Sequence, residues 1–276
     1  MLAAAPARPT PTLQRARGIG CIGTQVLGGA TRLATLYQEG CAKIRLPNTH
    51  SGALEAVLIN TAGGLTGGDD IAWEASAAPG AKLVLTTPAC ERIYRSTGEP
   101  ARVAVRLHAG VGAHIDWLPQ ETILFEGAKL DRSLDVALDD GATLTAVEAI
   151  LLGRQAMGEA ARAARLSDTW RIRRGGKLMH AEATRLSADP LERDGLSLLD
   201  GALAFATILH VGADAERKLA FVRALLPTTA RAGASVAGER LTVRAMAESG
   251  LALRRLIVPI VALLSGAGAL PRLWST

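Results

Sequence analysis

The sequence predicts a mainly β protein of stacked, solenoid-like or sandwich-like sheets, with about two α-helices in its C-terminal part. Three observations predict this class. Apolar residues alternate with polar or small ones in several segments, which is typical of half-buried strands. A loose repeat recurs with a step of roughly 30 residues, the size of one unit in a stacked architecture. Helical patterns occur only late in the chain, so strands and helices do not alternate as in doubly wound proteins.

The repeat consists of an alternating segment, a turn signal and a Gly-Ala unit. Each copy predicts a strand, a tight turn and a second strand. Units that stack in this way form a short, irregular β-solenoid, and a plain antiparallel sandwich with coincidental turns is the alternative. The alternating segments are residues 71–75, 103–107 and 134–138, and the Gly-Ala units begin at Gly80, Gly112 and Gly141.

Further strands and the two helices are predicted in the second half of the chain. A hairpin is indicated by residues 170–173 and 177–185, and residues 238–246 form another strand. The first helix is predicted over residues 213–226, where apolar residues share one face and a proline follows. The second is predicted over residues 248–264, with an interruption at proline 259.

Composition excludes several classes of protein. The net charge is +5, but the arginines are scattered and aromatic residues make up only 3%, so we expect no nucleic acid partner. An acidic protein surface would suit this charge. Three cysteines without CxxC spacing favour a reducing cytoplasm. The longest apolar stretch, residues 256–270, is shorter than the roughly 20 residues of a membrane helix. We expect a flexible tail over residues 1–17 and a single domain over residues 18–276.

Two glycine-rich segments invite comparison with phosphate-binding loops. Residues 18–23 match G-x-G-x-x-G, but no buried strand precedes them and no helix follows, so we interpret the match as chance. Residues 63–70 carry four glycines followed by Asp69 and Asp70, and two carboxylates would repel phosphate. This second segment is either a tight turn or a loop whose backbone and Asp69 line an interior passage or an interface.

Three segments carry the side chains that are most typical of a functional site. They are residues 86–95, 118–125 and 153–159, and each lies just beyond a repeat unit. In a stacked fold these segments would lie near one another on one side. Glu121 and Glu159 could then form the carboxylate pair of a glycosidase. The alternative is that Glu91 with Arg92, and Arg154 with Glu159, are structural ion pairs.

Six blocks of sequence resemble the UreD family of urease accessory proteins, also called UreH. They occur in the family order and span nearly the whole chain. Proline 88 departs from the polar residue expected there, and residues 190–237 carry little family signal. The blocks are GGLTGGD (63–69), TTPACERIYRS (86–96), WLPQETILFEGAKL (117–130), LGRQAMGE (152–159), RLTVRAM (240–246) and PRLW (271–274).

The resemblance implies a β-rich cytoplasmic scaffold that is not an enzyme. Such a protein binds apo-urease and UreF, UreF recruits UreG, and nickel passes transiently through the scaffold's interior with no tightly bound cofactor. A conduit must release its ion, so a lack of dense His and Cys motifs, which hold Ni²⁺ firmly, is expected.

The matching blocks also imply which side chains serve the nickel. They place Asp69, Glu121 and Glu159 along the path, with supporting roles for Tyr94, Arg95, Gln120 and Arg154. The alternative function is a β-solenoid-like carbohydrate hydrolase that uses Glu121 and Glu159, which requires an open cleft with both carboxyl groups facing water.

Overall fold

The computed structural model describes residues 14–49 and 51–275, and it is dominated by two β-sheets that face each other. Its strands are Arg17–Leu27 (β1), Ala30–Gly40 (β2), Ala42–Arg45 (β3), Leu54–Asn60 (β4), Asp70–Ala77 (β5), Lys82–Thr86 (β6), Glu91–Ile93 (β7), Ala101–Ala109 (β8), His114–Leu118 (β9), Thr122–Leu124 (β10), Lys129–Leu138 (β11), Thr143–Leu152 (β12), Arg165–Arg174 (β13), Lys177–Leu186 (β14), Ala204–Val211 (β15), Arg231–Ala237 (β16) and Arg240–Ala247 (β17).

The two sheets are built from one winding chain. The first has the strand order β14-β13-β11-β8-β5-β1-β2, and the second has the order β16-β17-β15-β12-β9-β6-β4-β3. Between β5 and β13 the chain winds back and forth between the two sheets. Strands β5, β8, β11 and β13 pair in parallel in the first sheet, and β6, β9 and β12 do so in the second. Antiparallel hairpins flank this centre. The predicted solenoid-like stack is therefore confirmed.

The Gly-Ala repeat has a direct structural cause. The glycines adopt the left-handed conformation, with φ of 70° at Gly80 and 64° at Gly112, and close the turn between the two sheets. The alanine that follows each glycine, such as Ala81, is completely buried. Because a larger side chain would not fit between stacked coils, the pair recurs in each unit.

Alternation places one row of side chains from each coil inside. Trp73, Val105, Leu134 and Trp170 are neighbours in register across four strands of the first sheet, and all four are buried. Burying apolar area contributes about 25 cal/mol per Å². This row and its neighbours therefore hold the coils together.

Strands β1 to β4 lie in a region for which no strand was predicted. The G-x-G-x-x-G match falls inside β1, so it forms no phosphate loop. A Cβ atom at Gly20 would lie 2.3 Å from the Trp73 ring, which explains the glycine by packing. Residues 1–13 of the predicted tail lie outside the described residues. The Ala16 N–H already donates to Asp69, and β1 begins at Arg17.

The helices are Pro190–Asp194 (α1), Ala215–Leu225 (α2) and Gly250–Leu264 (α3), with 3-10 turns at Gln155–Met157 and Arg272–Trp274. The two predicted helices are present, and α1 was not predicted. The predicted interruption at Pro259 is wrong, since α3 continues through it. Pro259 lies on the exposed side, and the opposite face of α3 is buried. Among the described residues, no helix is long and apolar enough to span a membrane.

Hydrogen bonds join the C-terminal end of α3 to the second sheet. The Asp116 carboxylate accepts hydrogen bonds from the Ser265 hydroxyl and the Ala267 N–H, just past the end of α3. The Thr145 hydroxyl donates to the Leu264 carbonyl over 2.9 Å. The Leu264 carbonyl is one of the groups that a helix terminus leaves free, and together these bonds fix α3 on the sheet.

Candidate functional site

The three segments singled out in the sequence meet on one side of the solenoid. There β7 and β10 extend from the end of β12 as a short branch of the second sheet, in which Ile93, Leu124 and Leu152 are neighbours in register. We call this branch the third sheet. The Glu91 N–H donates to the Glu121 carbonyl over 2.9 Å. The predicted proximity of these segments is therefore confirmed.

The glycine-rich loop packs against the edge of this third sheet. A Cβ atom at Gly64 would lie 2.4 Å from the Tyr94 ring, and one at Gly67 would lie 1.9 Å from the Ser96 hydroxyl. Asp69 is buried, and its two oxygens accept hydrogen bonds from the N–H groups of Ala16 and Thr66. This carboxylate therefore closes the loop and holds the start of β1.

Glu121 lies beneath the C-terminal helix and is only 6% exposed. Its carboxylate accepts from Arg254 of α3 over 3.0 Å and from the Cys90 thiol over 3.5 Å. Burial, followed by the nearby Glu121 charge, raises the pKa of Cys90 to about 11. The neighbouring Gln120 accepts from Arg254 and donates to the Leu273 carbonyl. The Gln120–Glu121 pair thus joins the third sheet to α3 and the C-terminal turn.

Glu159 belongs to a separate surface cluster. It accepts from Arg154 Nε over 2.9 Å and from the Glu126 N–H over 2.8 Å. The Arg154 guanidinium stacks over the Phe125 ring at 4.6 Å, and the Tyr94 ring meets Phe125 edge-on. Stacked in this way, Arg154 is positioned by an aromatic face as well as by Glu159.

The carboxyl groups of Glu121 and Glu159 do not meet the requirement for a glycoside hydrolase. Glu121 is buried under Arg254, and Glu159 is engaged by Arg154 and a backbone amide. A hydrolase needs two carboxyl groups that face one open cleft. Of the two ion pairs that the sequence analysis left open, Arg154–Glu159 is present, whereas Glu91 and Arg92 form none within the described residues. The pair between Glu121 and Arg254 was not predicted.

A cavity of about 50 Å³ lies inside the solenoid, behind the third sheet. It has room for roughly one or two water molecules. Its lining combines apolar side chains of both large sheets with polar groups, an unusual feature for the core of a stacked β fold. The polar side chains that line it are Thr87, Glu91, Gln120, Thr122, Arg132 and Glu148.

A buried charge cluster forms one wall of this cavity, and it was not predicted from the sequence. The Arg132 guanidinium donates to both oxygens of Asp168, at 3.2 and 2.8 Å, and to the Thr122 hydroxyl. Glu148 accepts from the Trp117 indole over 2.9 Å. Its second oxygen forms an ion pair with Arg132 but no hydrogen bond.

The two acidic side chains of the cavity are harder to ionise than usual. Burial raises the pKa of Glu148, an effect that the nearby Arg132 charge only partly offsets. Burial also raises the pKa of Glu91, whose carboxylate accepts from the Asn60 amide at 3.2 Å. No three His, Cys, Asp or Glu side chains in residues 14–49 and 51–275 are grouped so as to hold a metal ion.

Comparison with known proteins finds one family profile and relatives that carry the same family name. The family profile described as UreD urease accessory protein matches residues 17–275. A protein of Chelativorans sp. named urease accessory protein UreD is 64% identical over 269 residues, which cover 98% of this chain and 97% of the relative. A Rhizobium rhizogenes protein of the same name is 50% identical over 275 residues, 99% of each chain.

A third relative, from Brucella melitensis biotype 1, is named urease accessory protein UreD 1. It is 48% identical over 267 residues, which cover 96% of this chain and 95% of the relative. All three relatives are named as accessory proteins rather than as enzymes. With the match of the family profile over most of its length, the chain belongs to the UreD family of urease accessory proteins.

Proposed function

We propose that this chain is a cytoplasmic scaffold for the insertion of nickel into apo-urease. It acts with UreF and, through UreF, with UreG, and nickel is carried through its interior without a tightly bound cofactor. Family membership supports the accessory role. The observation that carries the interior route is the cavity behind the third sheet, where polar and acidic groups lie within a hydrophobic stack.

The charges around the cavity suit a divalent cation. One guanidinium, that of Arg132, faces the carboxyl groups of Asp168 and Glu148, and Glu91 adds a third carboxyl group to the lining. Uncompensated charge is costly in a low-dielectric interior. The raised pKa values of Glu91 and Glu148 reflect this cost. A passing divalent cation would balance the excess negative charge that these carboxyl groups carry when they are ionised.

Asp69, Glu121 and Glu159 were predicted to line the nickel path. In this proposal they support its walls and do not contact the ion. Asp69 already binds two backbone amides, Glu121 binds Arg254, and Glu159 binds Arg154. Carboxylates engaged in this way would lose those partners on binding an ion. We therefore assign them to holding the walls of the route, together with Tyr94, Gln120 and Arg154. The Arg95 side chain is exposed and has no part in these walls.

Glu91 and Glu148 are better suited to direct contact with the ion. Within the described residues, Glu91 accepts from the Asn60 side chain and the Arg92 N–H and forms no ion pair. One oxygen of Glu148 has no hydrogen bond and pairs with Arg132, which also pairs with Asp168 and so keeps a carboxylate partner when an ion binds Glu148. Two carboxylates and a few waters bind Ni²⁺ less firmly than imidazole or thiolate ligands do. Weak binding is what allows the ion to leave.

The test replaces Glu91 and Glu148 with glutamine, singly and together, in cells that co-express the urease subunits and the other accessory proteins. The expected result is less nickel in urease and lower urease activity, with normal capture of UreF and apo-urease. Glu99 and Glu216, exposed on the surface, provide the matched double control E99Q/E216Q. Full activation by E91Q/E148Q would contradict the interior route. Failure of the unaltered chain to capture either partner would contradict the scaffold role.

A further inference from the structure

The outward side of the third sheet has the composition of a docking surface. In this sheet Arg92, Ile123 and Leu151 are neighbours in register. Because side chains alternate along a strand, this row points away from the buried row of Ile93 and Leu124. We call this side, with the turn at Arg154–Met157, the third face.

An apolar groove of about 210 Å³ crosses the third face. It lies between β10, the end of β12 and the start of α3, and its floor is apolar while its rim is polar. The Gln155 side chain on the rim donates to the Glu248 carbonyl over 3.0 Å, which holds the turn in place. The residues that line the groove are Ile123, Leu151, Leu152, Gly153, Arg154, Gln155, Ala156, Leu203 and Gly250.

A strip of exposed aromatic, arginine and methionine side chains borders this groove. Tyr94 is 38% exposed and contacts Phe125, over which Arg154 stacks. Met157 is 73% exposed on the adjacent turn. Tyr, Phe, Met and Arg are the side chains enriched at the centres of protein interfaces. An exposed set of this kind next to an apolar groove indicates a protein partner rather than a small molecule.

The charges of the third face indicate the chemistry of that partner. Arg92 and Arg95 are exposed, and within residues 14–49 and 51–275 neither side chain forms an ion pair or hydrogen bond. The nearby acidic groups are occupied, since Glu159 pairs with Arg154 and Glu126 accepts from the Ala163 N–H. The Arg92 guanidinium is therefore unpaired and lies in register with Ile123 of the groove, and Arg95 adds a second exposed guanidinium three residues along the chain.

We propose that the third face binds a segment of a protein partner that presents carboxylates beside apolar side chains. The apolar side chains would fill the groove, and the carboxylates would pair with Arg92 and Arg95. This inference rests on the proposed scaffold function, because it assigns one of the scaffold's partners to this face. Such charge pairs mainly fix the register and the association rate, and the filled groove supplies the apolar contact.

The test is a charge reversal, R92E/R95E, in the full-length chain. Capture of UreF and of apo-urease is measured separately at low and moderate salt. We expect binding to one of the two partners to weaken by at least about tenfold, and the salt dependence of that binding to decrease. The matched control is R171E/R217E, which makes the same change in net charge at exposed arginines of other faces.

The possible outcomes separate a failure of the proposed docking surface from a failure of the proposed scaffold function. Unchanged capture of both partners by R92E/R95E would overturn the docking surface and leave the scaffold role intact. Equal losses in R92E/R95E and in R171E/R217E would also overturn it, because the effect would then follow net charge alone. Capture of neither partner by the unaltered chain would contradict the proposed function. Circular dichroism of both variants checks that the fold is retained.

Discussion

Arg254 of α3 donates a hydrogen bond to the Glu121 carboxylate, 3.0 Å away, at the start of the third sheet. The same guanidinium also donates to Gln120 and to the Leu273 carbonyl, and it lies 5.3 Å from the Trp274 ring centre. Two sequence blocks that are far apart, around Glu121 and at the C-terminus, are thereby joined through one arginine. The C-terminal turn is thus part of the structure that positions the third sheet.

We predict that Arg254→Met destabilises the fold by about 3 kcal/mol. The Arg254 and Glu121 side chains are 15% and 8% exposed, so removal of the cation leaves a buried carboxylate without its partner. Glu121→Gln should cost less, because the amide oxygen still accepts from Arg254. Urea denaturation followed by tryptophan fluorescence measures both effects.

Arg255→Met is the matched control for this prediction, since Arg255 is the next residue of α3 and is exposed. A surface substitution of this kind usually changes stability by less than about 0.5 kcal/mol. Equal stability of the Arg254 and Arg255 variants would mean that the contact with Glu121 is not important for the fold.

Asp69→Asn is predicted to destabilise the glycine-rich loop by about 1 to 3 kcal/mol. Both carboxylate oxygens accept from backbone N–H groups, at 2.8 Å from Ala16 and 2.7 Å from Thr66. An amide offers one acceptor and turns an NH₂ group toward the other donor. Hydrogen exchange of the Ala16 and Thr66 amides should speed up in the variant, whereas Asp70→Asn, at an exposed neighbour, should leave it unchanged. Equal exchange in Asp69→Asn and the unaltered chain would contradict the capping role.

The solenoid centre could be predicted from the sequence because its physical cause is local. Alternation and the turn glycines are visible in the chain, and each stacked coil repeats them. Strands β1 to β4 were missed because their pattern is less regular. In β2, for example, most positions are exposed, so little apolar alternation marks it.

The interior cavity could not be predicted, since its charged wall is assembled from three strands. Arg132 lies in β11, Glu148 in β12 and Asp168 in β13. Arg132 and Asp168 were not distinguished from the other charged residues of their strands, and Glu148 was a lone charged residue in a mostly apolar one. One signal was available, because a charged residue at an inward position of an alternating strand is costly unless it is paired. The family blocks instead predicted Asp69, Glu121 and Glu159 as path residues, and in the structure these carboxylates accept hydrogen bonds from arginines and backbone amides.

Two glycines of the same loop should respond differently to alanine. At Gly67 an added Cβ would lie 1.9 Å from the Ser96 hydroxyl and 2.3 Å from the Glu99 carbonyl. Overpacking of this kind costs about 1 to 3 kcal/mol or more. At Gly63 nothing lies within 4 Å, and only the φ of 76° is unfavourable for alanine, by roughly 1 kcal/mol. Thermal unfolding of both variants checks the order, and a Gly63→Ala variant that is less stable than Gly67→Ala would contradict it.

His210 joins the second sheet to α2 and is nearly inaccessible, at 2% exposure. Its Nε2 lies 2.8 Å from an Asp214 oxygen, and its Nδ1 lies 3.1 Å from the Thr145 hydroxyl. Burial lowers the pKa of His210, while the Asp214 hydrogen bond opposes this, and the charges of Lys218 and His114 lower it further. The folded protein therefore binds fewer protons at this site than the unfolded chain does when the pH falls below about 6.5.

We predict that this histidine makes the fold less stable as the pH falls through 6.5. Because the unfolded state binds more protons there, the free energy of unfolding rises with pH across this window. The raised pKa values of Glu148, about 7, and of Glu91 have the opposite effect on the free energy of unfolding above about pH 4.5. The effect of His210 is therefore obtained from the difference in stability between two variants. Urea denaturation of His210→Gln and of the unaltered chain at several pH values between 5 and 7.5 measures it. The stability difference between the two should shrink as the pH falls. A difference that is constant over this range would contradict the assignment.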